Sequence, residues 1–448
     1  MAALQSDTNA STKRIAVIGA GASGLCVSKY LLQAGFDVTI FEIGTQIGGL
    51  WCYQNDNGRS SCYRTLHINT SKGVTHFHDY DFAPDVQAFP DHRDMHAYLT
   101  AYADHFGVTP HIRFETPIAS VQPANTPGDG APRWSVETAQ GEVLEFDTVI
   151  ACTGHLTKPL HVPMFRDGFT REYVHSHDYR EPEDFVGKRI CVVGVGNSGC
   201  DIVSDICVTA RRAVLVARSG VQVLPKLFFG LPFTDITNQL QRGWIPDWLR
   251  ARLIRYMTYA VHGDMTKLGF KPLTERAHVT SNANVVGHIA YRRIEVKQGI
   301  DRIDGRTIHF SDGTAEDFDT LIAATGYLID LPYLASDLLP VVDNAVDLYQ
   351  RIAPPGLPGL YFMGMFNTNT ALNMIYEYQA RWIREIELGH AVLPPEDEMR
   401  AAIAQKREWA RNTYKDSLRH TIEEEVVPYR RDLRRSLKRM RTLAKRGA

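Results

Sequence analysis

At 448 residues the chain exceeds the roughly 250–300 at which one hydrophobic core stops growing, so it is expected to form two domains or one domain inserted in another. With 44% hydrophobic residues, 22% charged residues and a formal net charge of -2, it is an ordinary globular composition, and nothing in it points to nucleic acid as the partner. No apolar run reaches the roughly 18 residues of a membrane-spanning helix, and the first residues lack the apolar centre of a signal peptide, so a soluble, cytoplasmic protein is expected.

In chain order, the first element is the strand "IAVIG". It leads through Gly19, Ala20, Gly21, Ala22, Ser23 and Gly24 into a helix, and the next strand, "DVTIFE", closes on Glu42. The glycines stand in G-x-G-x-x-G spacing. That spacing serves a turn with unusual backbone angles, close approach of main chain to a pyrophosphate, and tight helix–strand packing, while the helix N-terminus offers free N–H groups to the phosphates. Short alternating strands follow and end in "EFDTVIACTGH" at 145–155.

The same order then recurs. "ICVVG" leads through Gly194, Gly196, Asn197, Ser198, Gly199, Cys200 and Asp201 into a helix, "AVLVAR" closes on Arg218, and the copy ends in "DFDTLIAATGY" at 317–327. Each copy is a strand, turn, helix and strand in βαβ order, a far more specific signal than a single glycine triplet. The expected fold is α/β: two Rossmann-like dinucleotide-binding domains, each with a parallel sheet and a small β-meander. Residues 1–164 and 328–448 form the first domain and residues 165–327 the inserted second, whose end falls between 284 and 327.

The strand-end charges separate the two nucleotides. Glu42, 18 positions after Gly24, can accept from a ribose diol and repels a 2'-phosphate, which suits FAD or NAD. Arg218, 19 positions after Gly199, can fork onto a 2'-phosphate, which suits NADPH. The plainer alternative makes both of them solvated strand-end charges. Asp201 is expected near the pyrophosphate without touching it, since a carboxylate there is repelled.

With these residues in view, the chain resembles the flavin-containing monooxygenases, class B flavoprotein oxygenases, from about residue 13 to beyond residue 380. "GAGASGL" with Glu42 is similar to the family's FAD loop, and "IGGLW" (47–51) to its second flavin motif. "INTSK" (68–72) with "FPDHRDMHAYLTAYADHFGV" resembles the segment running past the flavin. "HSHDY" ahead of the second loop is similar to the family signature F-x-G-x-x-x-H-S-x-x-Y. One departure is plain: with Phe169 and His175 aligned, Arg171 occupies the signature glycine. Tyr179 stands where the related Baeyer–Villiger oxygenases carry Trp followed by Pro, which leans away from a dedicated ketone oxygenase.

The resemblance implies FAD and NADPH as cofactors, O2 as co-substrate, and a C4a-hydroperoxyflavin that oxygenates soft nitrogen or sulfur nucleophiles of small molecules. Ketone insertion or plain release of H2O2 are the alternatives, and a homodimer is expected. It also places Gly49, Leu50, Trp51, Ile68, Asn69 and Thr70 beside the flavin. Asn69 is the catalytic candidate, because a neutral amide can donate to a peroxide oxygen without offering the proton that expels H2O2. By itself an Asn before Thr-Ser is a turn or helix cap, and Trp51 by itself is core. His175, His177 and Asp178 supply no closed ligand set, so no metal is expected.

A flavin disulfide reductase would share the two loops, but the seven cysteines contain no closely spaced pair and read as packed, reduced thiols. Residues 221–284 carry no motif and read as irregular. The basic C-terminal run, with Leu433, Leu437, Met440 and Leu443 on one face, reads as a packed or solvated amphipathic helix, with a membrane-surface or oligomer contact as the alternative.

Overall fold

The structure is a computed structural model describing residues 13–124, 134–241, 245–273, 279–368, 370–414, 418 and 420–447. Two five-stranded, wholly parallel sheets organise it. Across the first run Leu360–Phe362, Thr148–Ala151, Arg14–Ile18, Asp37–Phe41 and Ile112–Arg113. Across the second run Ile294–Lys297, Arg212–Val216, Arg189–Val193, Thr320–Ala323 and Glu172–His175. The central strands are continuous Ile/Val runs because helices and meanders cover both faces of a parallel sheet. Each sheet is accompanied by a three-stranded antiparallel meander, Ile118–Pro123 with Trp134–Thr138 and Val143–Phe146 in one, Ile300–Asp304 with Thr307–Phe310 and Ala315–Asp317 in the other.

The repetition extends to register. Ile15 pairs with Thr148 and Ile190 with Thr320, the threonines of the two Phe-Asp-Thr triplets. In both copies the aspartate of that triplet clamps the start of the central strand. The Arg14 N–H donates to Asp147 at 2.8 Å and the Arg189 N–H to Asp319 at 2.9 Å. These donors stand at the sheet's edge end, where the ladder alone leaves them without a partner.

The C-terminal third packs on the first sheet. Leu360–Phe362 adds in parallel to Thr148–Ala151, and Ile329, Leu331 and Leu334 join the core formed by Phe146 and Trp134. The helix Asn373–Glu387 lies against the first loop's helix, Ala22–Leu32, and the basic helix Val426–Gly447 lies against Asn373–Glu387. Leu433 and Met440 of the basic run are buried in that contact, and Trp382 donates to Ser436 at 3.0 Å, so its apolar stripe is packed on this chain. Among the described residues no helix is long and apolar enough to cross a membrane.

Residues 221–284 depart from the expected irregular segment. They form a short hairpin, Leu227–Phe228 with Leu231–Pro232, and two helices, Phe233–Leu240 and Asp247–His262. The longer helix leaves Trp248, Tyr256 and Tyr259 exposed, so its sequence lacks the single core-facing stripe by which such a helix is recognised. Arg171 is exposed and its φ is not positive, so the backbone at the departed signature position makes no demand for glycine.

Candidate functional site

Both glycine loops are built alike. Gly19 and Gly194 have φ of +108° and +115°, a region that disfavours any side chain. A Cβ on Gly24 would lie 1.9 Å from the Gly19 carbonyl oxygen, and one on Gly199 2.0 Å from that of Gly194. Each helix therefore approaches its strand as closely as main chain allows. Gly21 and Gly196 are the N-caps; neither helix has a side-chain cap or an acid in its first turn. Two helix N-termini thus present uncapped N–H groups, the arrangement that receives a phosphate.

A single cavity of about 1100 Å³ runs between the modules. That exceeds the roughly 300–1,000 Å³ of an ordinary small-ligand pocket. Of the residues anticipated from the sequence, Ala22, Leu50, Trp51, Ile68, Asn69, Thr70, Gly194, Gly196, Asn197, Ser198, Gly199, Asp201 and Arg218 line it. Gly19, Ala20, Gly21, Ser23, Gly24, Glu42, Gly49 and Cys200 are not on its wall. The Cys200 side chain is fully buried in the core with the thiol toward the Val195 carbonyl, so it does not face the cavity. Glu42 lies beneath the first loop instead of at its rim, where its carboxylate accepts from the N–H groups of Ala20 at 2.8 Å and Gly44 at 2.9 Å.

Arg218 is exposed at the strand end, on the cavity wall beside Ser219 and Lys271. Gly220 packs against main chain of Pro272 and Leu273, which is how Lys271 is brought there. Arg212, the first residue of the same strand, is by contrast engaged by Glu316 at 2.9 Å and also by Glu295.

Asn69 is held from both sides in sequence. The Ile68 N–H donates to Pro90, Ser71 N–H donates to Thr234 Oγ1 at 3.0 Å, and Thr70 shares a hydrogen bond with Thr75 at 2.8 Å. Its own Oδ1 accepts from Lys226 Nζ at 2.8 Å. Asp201 is partly buried and turned away from the loop, accepting from Tyr63 at 2.8 Å and from Asn282 at 2.6 Å. Burial holds its carboxyl above the usual range, against the lowering effect of the Tyr63 hydrogen bond. Thr280 donates to Val195, and Ser281 N–H donates to Asn197 Oδ1, so residues 280–282 stitch down the second loop. Asn197 therefore uses its side-chain oxygen on protein.

His175 is buried, accepts the His177 N–H at 3.1 Å on Nδ1, and is pushed down to about 4 by burial and by the neighbouring His161 and His177. It is neutral at physiological pH. All seven cysteines are free and buried, and burial pushes their thiols up, so the described residues hold neither a disulfide pair nor an activated thiolate.

Residues 12–443 match the family described as flavin-binding monooxygenase-like. The chain belongs to that family. It is 35% identical to flavin-containing monooxygenase 5 of Rattus norvegicus over 93% of its own length and 81% of the relative's. It is 30% identical to the N-oxide-forming dimethylaniline monooxygenase 2 of Mus musculus, with the same coverage. Among solved structures, the S-allyl-L-cysteine S-oxygenase of Allium sativum shares the fold at a TM-score of 0.73 and 23% identity, covering 97% of this chain and 92% of that one. A closed form of cyclohexanone monooxygenase shares it at 0.70 and 16%, covering 96% and 97%. The chain is accordingly a flavoprotein monooxygenase, an NADPH-dependent oxidoreductase built from two Rossmann-like modules.

The residues present fit two dinucleotides on three observations of this structure. The helix N-termini are uncapped, the first and last glycine of each loop leave no room for a side chain, and Thr368 Oγ1, buried on the cavity wall, has no partner among the described residues. Sequence reasoning missed Lys226, Lys271 and the 280–282 clamp. No signal in the chain marks them, because each acts through a partner far away in sequence.

Proposed function

We propose that FAD is held by the module of residues 1–164 and 328–448, that NADPH is held by the module of residues 165–327, and that the enzyme oxygenates soft nitrogen or sulfur atoms of small molecules. The observation that carries this reading is the opening of both glycine-loop modules onto one cavity, with Glu42 under the first loop and Arg218 at the second without an ion-pair partner among the described residues. When bound, FAD reduced by NADPH supplies the activated oxygen.

The chain's own residues bind, orient and exclude water. The first-loop N–H groups of Ala22, Ser23 and Gly24 receive one pyrophosphate, and those of Asn197, Ser198 and Gly199 the other. Glu42 fixes the first loop from beneath through the Ala20 and Gly44 N–H groups, while Arg218, Ser219 and Lys271 offer positive charge and donors to a 2'-phosphate at the second. Trp51, Leu50 and Ile68 provide apolar cover, and Asn69 donates its amide hydrogens into the cavity. Asp201 is the one carboxylate on the described wall and is already hydrogen-bonded, so the described wall offers no free carboxylate to select a cationic substrate.

A panel of trimethylamine, a thioether, indole and a cyclic ketone tests the reading. N-oxide or S-oxide formed in proportion to NADPH consumed is the expected result. Lactone from the ketone with no N- or S-oxide, or stoichiometric H2O2 with every compound, would overturn it.

A further inference from the structure

Lys226 lies far from both glycine loops in the chain, yet its ammonium reaches the segment on which the proposed chemistry turns. Nζ donates to Asn69 Oδ1 at 2.8 Å and to the Ile68 carbonyl at 3.1 Å, and it stands 5.0 Å over the Phe89 ring. The backbone that carries it is fixed, since the Phe233 N–H donates to the Lys226 carbonyl at 2.8 Å. An ammonium has three donors and no acceptor. It can therefore pair only with the oxygen of the Asn69 carboxamide, which turns the NH2 end toward the cavity that Asn69 lines.

We propose that Lys226 is a positioning residue that fixes the Asn69 carboxamide in one orientation, oxygen toward itself and NH2 toward the reacting oxygen. The proposal rests on the reading that Asn69 faces the chemistry. The orientation matters because an inverted amide would present a lone pair to the oxygen atom it must stabilise, and the reduced-oxygen species would be lost as H2O2.

The charge on Lys226 is itself adjustable. Burial pulls its ammonium down to about 8, opposed by the attraction of Asp201. Of the other charged or titratable groups around this segment, Tyr63 donates to Asp201 and Asp235 is bound by the Ser71 hydroxyl, so both are already committed. Above pH 8 a neutral amine both donates and accepts, and the constraint on the amide is released.

The test measures H2O2 released per product formed by the FAD-loaded enzyme across pH 6.5–9.5, in wild type, Lys226→Met, Lys226→Arg, Asn69→Ala and the Asn69→Ala/Lys226→Met double variant. Losing one charge-assisted hydrogen bond should raise the ratio about tenfold in Lys226→Met. The wild type should show a rise centred near pH 8, and Lys226→Met should show none. Lys226→Arg should restore coupling without the pH step, and the double variant should match Asn69→Ala. Asn69→Ala uncoupled beside a Lys226→Met that remains coupled would overturn the role of Lys226 and leave that of Asn69 standing. Asn69→Ala coupled like wild type would overturn the reading of Asn69 and this proposal with it, and additive effects in the double variant would overturn the positioning link.

The side-chain amide resonances of Asn69, assigned by their loss in Asn69→Ala, give a readout independent of turnover. They should shift with a midpoint near pH 8 in the wild-type holoenzyme. Absence of that shift overturns the proposal even where Lys226→Met fails to fold.

Discussion

Replacing Arg218 by alanine isolates the choice of nicotinamide nucleotide. The guanidinium is exposed on the cavity wall, and among the described residues it has no ion-pair partner to release, so binding a 2'-phosphate gains the full charge-assisted contact. Such a contact contributes about 1.5–3 kcal/mol, a factor of roughly 10–150 in kcat/KM for NADPH. Lys271 on the same wall retains part of the attraction and keeps the loss toward the lower end of that range. NADH lacks the phosphate and should be used as well by the variant as by wild type. Steady-state oxidation of both coenzymes, repeated at rising ionic strength, gives the answer. The wild-type preference for NADPH should narrow with salt, and the variant's, which rests on Lys271 alone, should narrow less. Equal loss toward both coenzymes would refute the assignment of Arg218.

Two further outcomes follow from the site's construction. Gly24→Ala should yield protein without flavin absorbance, whereas Gly199→Ala should keep its flavin but no longer be reduced by NADPH; each inserts a Cβ within about 2 Å of main-chain oxygen, and overpacking of this kind costs about 1–3 kcal/mol. Loss of flavin from both variants equally would contradict the division of labour between the loops. His175 should make the fold acid-sensitive. Its folded value of about 4 lies below the ordinary 6.5, so the unfolded chain binds the proton first. Its contribution is complete above about pH 6.5, falls as pH drops through the window and is lost below about 4, about 3 kcal/mol in all. Thermal melting of His175→Gln should show a shallower decline between those limits, and an unchanged decline would exclude His175 as the source.

The repeated loop was legible because it is written in a contiguous stretch, and so was the charged residue that closes each copy's second strand. The spacing of Gly194, Gly196 and Gly199 specifies a turn wherever it occurs, and an Ile/Val run before it specifies a buried parallel strand. The Phe-Asp-Thr repeat was visible as a repeat, but its use as a strand clamp appeared only when Asp147 and Asp319 were seen accepting from Arg14 and Arg189. Glu42 was recognisable as a strand-end acid, whereas its place beneath the loop depends on the fold of residues 42–57 around it. The helix Asp247–His262 escaped notice because Trp248, Tyr256 and Tyr259 face outward and blur the periodicity.

By itself, then, the sequence determined that two dinucleotide modules exist, which charge closes each, and where Asn69 stands in the chain. Tertiary structure alone decided that Ala22 of the first module and the whole second loop face one cavity, that the Cys200 thiol is withdrawn into the core, and that Lys226 meets Asn69 across 157 positions. The physical reason is range. Turn geometry and strand burial follow from neighbours along the chain, while a lysine's choice of partner follows from how two modules pack, and no local pattern encodes that.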